Sequence, residues 1–276
     1  SVVYAASRGA GIHLWRVTIS GGAQPERLEL AGQEVQHPAI PRAGNWLAFA
    51  RGVPDTDIWR LEAGAPAKNF ISSTLPDQNP QFSPDGKRIA FASDRSGRRE
   101  IWVCSQDGSN PIQLTDGLGN LQVGPRWSPD SRWIAFGSKG EDGHWDIYVI
   151  DAAGGQPRRL TPYPSDEVVS SWSRDGRWVY FGSNRSGRNE IWRIPAAGGE
   201  SVQVTDNGGY VAFESWDGKT LYYTKVPGDL SSQPLFAKSL AGGPERQILD
   251  SVVQSAFFPV EGGIYHIAQA DKGGAY

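Results

Sequence analysis

One hydrophobic and polar pattern recurs along the chain, and its clearest copy spans residues 79–115. Four short runs rich in β-branched, aromatic and alanine residues are separated there by turn residues. The runs are 79–82, 88–93, 100–105 and 111–115. Between the first two, the sequence Pro-Asp-Gly at 84–86 favours a tight turn, because proline presets φ and glycine accepts a positive φ. The pattern predicts four antiparallel strands in each repeat.

The aromatic residue that closes the third run of each repeat measures the period. The spacings between these residues are 44, 43, 46, 44 and 44, and the residues are Trp15, Trp59, Trp102, Tyr148, Trp192 and Phe236. A period in the forties is typical of a β-propeller with four strands per blade. No helix-length amphipathic pattern occurs in the sequence. We therefore expect an all-β propeller of four-stranded antiparallel blades, with residues 1–276 forming one domain.

The number of blades follows from counting second strands. Seven are predicted, the first at residues 2–6 and the last at 264–268, but only six third strands. Either seven blades form with incomplete terminal blades, or a strand around Ala256 completes a six-blade ring. Seven is preferred, because in a six-blade ring residues 264–268 would compete with 2–6 for one place. The chain begins inside a predicted strand and contains no methionine, so we also expect an excised fragment of a longer protein.

Alternation within the second strands predicts how blades stack. At residues 89–92, Ile-Ala-Phe-Ala, large side chains point to one face and small ones to the other. The small face can receive bulky side chains from the next blade, and we expect these to be the third-strand tryptophans. Five tryptophans are therefore expected in blade cores, namely Trp59, Trp102, Trp127, Trp172 and Trp192. Trp145 and Trp216 lie beside turn residues and are the candidates for exposure.

Glu214 departs from this pattern, because it occupies the core position held by Phe82, Trp127 and Trp172 in other repeats. Two explanations are open. The strand shifts register by one residue and Phe213 points inward, or a carboxylate faces the interior and needs a partner. The register shift is preferred.

Composition agrees with a compact all-β domain, with 38% hydrophobic residues, 34 glycines and 19 prolines. The net charge of −3 and the absence of basic runs argue against direct nucleic-acid contact. No apolar stretch of membrane-spanning length occurs, so this chain is not expected to insert into a membrane. The only cysteine, Cys104, lies in an apolar third strand and is expected to be buried and unreactive.

Several of these motifs resemble those of a known family. The Ser-Pro-Asp-Gly turn, the Ile-Ala-Phe-Ala-Ser strand, the Asp/Asn-Arg-Ser-Gly loop and the Glu-Ile-Trp strand resemble TolB-type, WD-like propeller repeats, which also occur in the tricorn protease and dipeptidyl-peptidase propellers. Residues 207–223 resemble more narrowly the C-terminal propeller of CadC-type winged-helix bacterial regulators. That resemblance implies a bacterial, periplasmic or extracytoplasmic location and a DNA-binding domain elsewhere in the protein.

Catalytic chemistry finds little support in the sequence. A serine hydrolase would need a Gly-x-Ser-x-Gly elbow on an α/β domain, which is not present. The four histidines, His13, His37, His144 and His266, lie in different repeats without metal-binding spacing. We therefore predict that the chain is not an enzyme, holds no metal site and takes no cofactor.

The variable loops between second and third strands and the links between blades should emerge on one side of the disc. The candidate binding residues lie there, namely Arg95, Arg98, Arg99, His144, Tyr163, Arg185, Arg188 and Tyr210. Arg95 and Arg185 occupy matching positions and either ring the channel mouth or pair with Glu100 and Glu190. Pairing is preferred, since arginine and glutamate recur together, and Arg98, Arg99 and Arg188 are then expected to be the free contacts.

These residues point to recognition as the function. Arginine and tyrosine are typical of protein-binding surfaces. We expect a non-catalytic propeller that binds a protein or peptide at its loop-rich face, as the sensory or interaction domain of a bacterial regulator. The alternatives are a substrate-gating propeller of a serine peptidase without its hydrolase domain, and a metal-dependent propeller enzyme. The sequence does not determine the oligomeric state.

Overall fold

The computed structural model describes residues 2–7, 12–17, 26–31, 35–39, 46–53, 55–62, 64–225, 232–253 and 257–266. These ranges hold twenty-five β-strands and one short 3-10 helix, Glu29–Ala31. All strand pairs join neighbours in the chain and run antiparallel. The expectation of an almost helix-free chain is therefore confirmed for the described residues.

The strands form seven sheets in chain order. The first sheet has three strands, β1 (Val2–Ser7), β2 (Ile12–Val17) and β3 (Glu26–Arg27). Blade I comprises β4 (Val35–Ala39), β5 (Trp46–Val53), β6 (Asp55–Glu62) and β7 (Lys68–Ile71). Blade II comprises β8 (Asp77–Phe82), β9 (Arg88–Ser93), β10 (Glu100–Ser105) and β11 (Ile112–Gln113). Blade III comprises β12 (Leu121–Trp127), β13 (Trp133–Lys139), β14 (Trp145–Asp151) and β15 (Arg158–Arg159).

Two more blades and a small sheet follow. Blade IV comprises β16 (Glu167–Trp172), β17 (Trp178–Ser183), β18 (Glu190–Pro195) and β19 (Val202–Gln203). Blade V comprises β20 (Val211–Glu214), β21 (Thr220–Thr224), β22 (Ser232–Ser239) and β23 (Arg246–Val253). The last sheet has two strands, β24 (Phe257–Val260) and β25 (Gly263–His266).

The described residues thus form five four-stranded blades, and the prediction of seven blades, or six, is wrong. The prediction assigned one blade to each second strand, and this assumption fails at the two ends of the chain. At the two ends of the chain the second strands belong to sheets of three and two strands. Ala256 and residues 267–268, on which the six-blade alternative depended, lie outside the described ranges.

Successive sheets pack side by side around an axis. The first strands of successive blades contact each other, from β4 through β8, β12, β16 and β20 to β24, and β25 contacts β1. The first strands therefore lie innermost and line the axis. The fourth strands of blades II, III and IV are only two residues long and lie at the outer rim.

The core lies between blades. Ala90 and Ala92 pack in one cluster with Trp127 and Phe136 of blade III, whereas Ile89 and Phe91 pack against blade I. The predicted division into a large and a small face is confirmed. The bulky side chain that packs on the small face is Trp127, however, which lies on a first strand. The third-strand Trp59, Trp102 and Trp192 and the first-strand Trp172 are only partly buried, at the edges of their clusters. Trp216 is 39% exposed, Trp145 is half-buried, and Cys104 is buried, which raises the pKa of its thiol to about 12.

A serine and an aspartate build the turn between the first and second strands. Ser83 Oγ donates to Asp85 Oδ1 at 2.6 Å and accepts from the backbone N–H of Arg88 at 2.9 Å. The same contacts recur at Ser128, Ser173 and Ser215. Gly86 has a φ of 72°, which a glycine adopts without strain. These bonds explain why the turn motif repeats.

The inner strands of blades I to IV share an irregularity. In each, the pairing with the second strand shifts register over two residues. The first of these residues has a positive φ in three blades, with values of 52° at Asn79, 59° at Gly124 and 50° at Val169. Asparagine and glycine tolerate this region, but the β-branched Val169 is strained there. The bulge is a feature of the repeat, because it persists despite that strain.

Glu214 keeps the register of the other repeats, so the predicted shift is wrong. It pairs with Leu221 just as Trp172 pairs with Val179. Its carboxylate faces the interior and is 7% exposed. The hydroxyl of Tyr180 and the backbone N–H of Arg174 each donate to it at 2.7 Å. These two donors let a carboxylate occupy a position that is apolar elsewhere.

Candidate interaction face

The loop-rich face comprises the hairpins between second and third strands together with the links between blades. Hydrogen bonds fasten the hairpins of blades II and IV to neighbouring links. In blade II, the N–H of Asp94 donates to the carbonyl of Pro76, and the N–H of Gln122 to that of Arg99. In blade IV, the N–H of Gly209 donates to the carbonyl of Asn189. The candidate binding residues therefore lie on a braced surface.

The glutamate of the Glu-Ile-Trp motif is part of this bracing. Glu100 is 1% exposed and accepts from Thr115 Oγ1 at 2.5 Å and from the N–H of Gly117 at 3.0 Å. Glu190 and Thr205 repeat the first contact at 2.6 Å. The glutamate thus holds the link to the next blade, and its recurrence beside arginine has a structural cause.

Arg95 is held by a buried carboxylate from the first strand. Its Nη2 donates to both oxygens of Asp77 at 3.0 Å, and its Nε donates to Ser93 Oγ at 2.9 Å. Asp77 is fully buried, and the guanidinium carbon lies 5.1 Å from the ring centres of Phe91 and Trp102. Pairing with Glu100 was a wrong prediction, because the partner comes from a different strand.

Arg185 is enclosed in the same way. Its Nε donates to Ser183 Oγ at 3.0 Å and its Nη1 to Ser201 Oγ at 2.7 Å, while Nη2 lies 3.2 Å from Glu167 Oε1. The Tyr163 ring centre lies 3.7 Å from the guanidinium carbon. Glu167 is fully buried, and burial raises its pKa despite hydrogen bonds to it. Arg185 and Tyr163 are thus engaged with each other.

The three arginines expected to be free behave differently. Arg99 donates to both oxygens of Asp94 at 3.0 and 2.7 Å, and Arg188 Nε donates to Glu190 at 2.6 Å. For these two the expectation is wrong. The exposed guanidinium of Arg98 makes no hydrogen bond or ion pair with the part of the chain that the structure describes. Arg98 is therefore the available cation of this set.

The two remaining candidates, His144 and Tyr210, make different contacts. His144 is half-exposed, and its Nδ1 lies 3.7 Å from Asp166 Oδ1. Tyr210 is half-buried, and burial raises the pKa of its phenol. Its carbonyl passes so close to Gly182 that a Cβ there would lie 2.4 Å from the oxygen. Tyr210 thus marks a close backbone crossing.

Two equivalent clefts open on this face, one each on blades II and IV. The cleft of blade II has a volume of about 550 Å³ and is lined by Ser96, Gly97, Arg98, Glu100, Gln113, Leu114, Thr115 and Asp116. The cleft of blade IV measures about 420 Å³ and is lined by Ser186, Gly187, Arg188, Glu190 and Gln203. Five lining positions match at a separation of 90 residues, as from Arg98 to Arg188. The face therefore presents one recess twice.

An exposed apolar residue accompanies each cleft. Ile112 is 62% exposed and precedes Gln113, and Val202 is 47% exposed and precedes Gln203. The equivalent position in blade III is Arg158, as the strand pairing shows. Sequence reasoning missed these residues, although their common spacing of 90 residues was a usable signal.

Neither a metal-binding cluster nor a membrane-spanning helix occurs in the described ranges. No three His, Cys, Asp or Glu side chains there come close enough together to hold a metal ion. No helix within those ranges has the length and apolarity needed to cross a membrane.

The sheets and their packing define a β-propeller built from four-stranded antiparallel blades. The chain belongs to the family described as the Tricorn protease N-terminal beta propeller domain, whose sequence profile matches residues 101–249. The structure of TolB from Acinetobacter baumannii shares the fold, with a TM-score of 0.73 and 19% identity over 98% of this chain and 66% of that one. The TolB-like resemblance is thereby confirmed, and the narrower likeness to CadC-type regulators stays a prediction.

The relatives that match by sequence include two bacterial proteins. Uncharacterized peptidase YuxL of Bacillus subtilis (strain 168) is 30% identical over 100 residues, covering 34% of this chain and 15% of that protein. Uncharacterized protein Atu1656 of Agrobacterium fabrum (strain C58 / ATCC 33970) is 28% identical over 171 residues, covering 56% and 58%. The matches thus span less than two thirds of either relative.

Proposed function

We propose that this chain is a non-catalytic propeller that binds an extended segment of a protein at its loop-rich face. The observation that carries the proposal is the pair of matching clefts on blades II and IV. Each is lined mainly by polar residues, and an exposed β-branched residue, Ile112 or Val202, directly precedes a lining glutamine in the chain. Peptide recognition combines apolar contacts with polar ones, and both are available beside each cleft.

The charged residues of the two clefts limit which peptide segments can bind there. Glu100 and Glu190 are committed to threonine and backbone partners, and Arg188 is committed to Glu190. The free guanidinium of Arg98 is left to meet a carboxylate of the partner. The expected ligand is therefore an extended segment with apolar residues and at least one acidic residue.

The rigid scaffold supports this proposal physically. Hydrogen bonds to the links already order the hairpin that lines each cleft. Binding then costs little additional ordering of the loops. Such a surface suits a domain that recognises partners on behalf of a larger protein. We propose that this chain is the sensory or interaction domain of a bacterial regulator.

A second candidate is a substrate-gating propeller in a serine peptidase. It is favoured by the relative named as a peptidase and by the family's description as a tricorn protease domain. The gene that encodes the chain separates the two, since a winged-helix domain supports the regulator and a hydrolase domain supports the peptidase.

Selection of random peptides on the immobilised domain tests the binding proposal. Affinities of enriched peptides are then measured by fluorescence anisotropy against the variant Arg98→Ala/Ile112→Ser/Val202→Ser. We expect a loss of about tenfold or more, since an apolar anchor and a charged contact are removed. Lys87→Ala, an exposed residue in the turn on the opposite face, is the control and should bind normally. Equal binding by the triple variant, or no enrichment on the wild type, would overturn the proposal.

A further inference from the structure

Arg126 lies on the innermost strand of blade III, at a position that other blades fill with neutral residues. Gln81, Ser171 and Phe213 occupy the equivalent positions of β8, β16 and β20, as the pairing with second strands shows. The indole N–H of Trp172 donates to the carbonyl of Arg126 at 2.9 Å, which fixes the neighbouring strand beside it. The repeat does not require a cation here.

The guanidinium of Arg126 has no carboxylate partner in the described ranges. Its Nη1 donates to the adjacent carbonyl of Pro125 at 3.1 Å, and its Nε is buried without a hydrogen bond. Burial, with no opposing charge, lowers the pKa of Arg126 to about 10. The residue is half-buried by accessible surface, so solvent reaches part of it. An uncompensated charge in such a place is unfavourable unless an anion joins it.

The other enclosed arginines of this propeller show what is missing. Arg95 and Arg185 each lie beside a fully buried carboxylate, Asp77 and Glu167 respectively. Arg126 has a comparable enclosure and no such acid in the described part of the chain. The contrast indicates that its counter-charge is supplied from outside the described residues.

The surroundings of Arg126 are aromatic. The small Ser171 on β16 lets the guanidinium reach toward β20, where the Phe213 ring centre lies 5.8 Å from the guanidinium carbon. The Phe213 ring in turn contacts Phe258 edge-on at 5.5 Å, and Phe258 is 41% exposed. Another polar atom without a partner, Ser170 Oγ, lies buried on the intervening strand.

We propose that Arg126 anchors an anion site on the inner strands, which takes a carboxylate carrying an aromatic or apolar group. The guanidinium binds the carboxylate, and Phe213 with Phe258 contacts the apolar part. This site lies at the axis, apart from the clefts on the loop-rich face, and it does not depend on the function proposed for them. The carboxylate can belong to a free small acid or to a peptide terminus.

Thermal unfolding and calorimetric titration with benzoate, with benzyl alcohol as the neutral analogue, test the site. Benzoate should raise the Tm saturably and benzyl alcohol should not. Arg126→Gln places the residue of Gln81 at this position and should weaken benzoate binding about tenfold or more, while the Tm without ligand stays equal or rises. Arg246→Gln, at an exposed arginine on β23 that lines neither cleft, is the matched control for loss of one arginine and should bind benzoate normally.

Two further probes identify the source and the chemistry of the anion. The peptide acetyl-Gly-Gly-Phe with a free C-terminus, compared with its amide, reports a peptide carboxylate, and benzoate reports a free acid. Either one binding in an Arg126-dependent manner supports the site. The proposal is overturned when neither binds, when Arg126→Gln binds as well as the wild type, or when inorganic phosphate binds more tightly than benzoate.

Discussion

The hydroxyl of Tyr180 donates a hydrogen bond of 2.7 Å to Glu214 Oε1, joining blade IV to blade V through a buried polar contact. Burial and this carboxylate raise the pKa of the phenol well above its ordinary value, so Tyr180 stays protonated and remains a donor. The contact replaces the apolar packing that Trp172 provides in the preceding blade.

Tyr180→Phe is expected to destabilise the domain by about 1–3 kcal/mol, because Glu214 then loses one of its two described donors while remaining buried. Urea denaturation measures the free energy of unfolding. Tyr222→Phe is the control, since the Tyr222 hydroxyl makes no hydrogen bond within the described ranges. A loss equal to that of the control would contradict the role of the bond.

Asp77→Asn is expected to cost about 3–5 kcal/mol, because it leaves the enclosed Arg95 without its counter-charge. In blade III the equivalent positions hold uncharged residues. Buried Gln122, opposite Ser138, replaces Asp77, and Gly140 replaces Arg95. The variant Asp77→Gln/Arg95→Gly should therefore lose less stability than the sum of its two single changes. A double-mutant cycle by urea denaturation measures this coupling, and additive losses would refute it.

Glu167→Gln is expected to flatten the pH dependence of stability. Burial raises the pKa of Glu167 above its ordinary 4.5, so the folded chain holds this proton to higher pH than the unfolded chain does. The contribution of Glu167 to stability therefore falls as pH rises from 4.5 to the raised folded pKa. Unfolding free energies across that window should show a weaker decline in the variant. Exposed Glu141→Gln should leave the profile unchanged, and an unaltered slope in Glu167→Gln would count against the assignment.

Arg98→Ala and Arg99→Ala are expected to differ in stability although they are neighbours. Arg98 makes no described ion pair, and its removal should leave the Tm unchanged. Arg99 pairs with Asp94 at 2.7 Å in a partly exposed setting, so its removal should cost up to about 1 kcal/mol. Differential scanning calorimetry compares the two. Equal melting temperatures would show that the Arg99 pair contributes nothing measurable.

The strands and turns of each repeat could be predicted because they depend on residues that are close together in the sequence. The turn at Ser83 depends on residues within five positions of one another, and its motif is visible in the sequence. The blade number was not predictable in the same way, because it depends on whether strands at the two ends of the chain find three partners each.

The partner of Arg95 was not predicted either, because it lies on a different strand. Glu100 was the expected partner because arginine and glutamate recur together in the repeats, whereas the partner Asp77 comes from the first strand. A signal existed, since Asp77 and Glu167 are 90 residues apart, just as Arg95 and Arg185 are. Aligning charges between repeats would have identified both pairs. Arg126 offers no such signal, because it has no counterpart.

The neutral pair Gln122 and Ser138 in blade III closes the same hairpin position that Asp77 and Arg95 close with opposite charges in blade II. One chain thus contains a charged and a neutral version of the same contact. Exchanging one version for the other in a single blade would add or remove one buried acid and one arginine together, and so would leave the net charge of the domain unchanged.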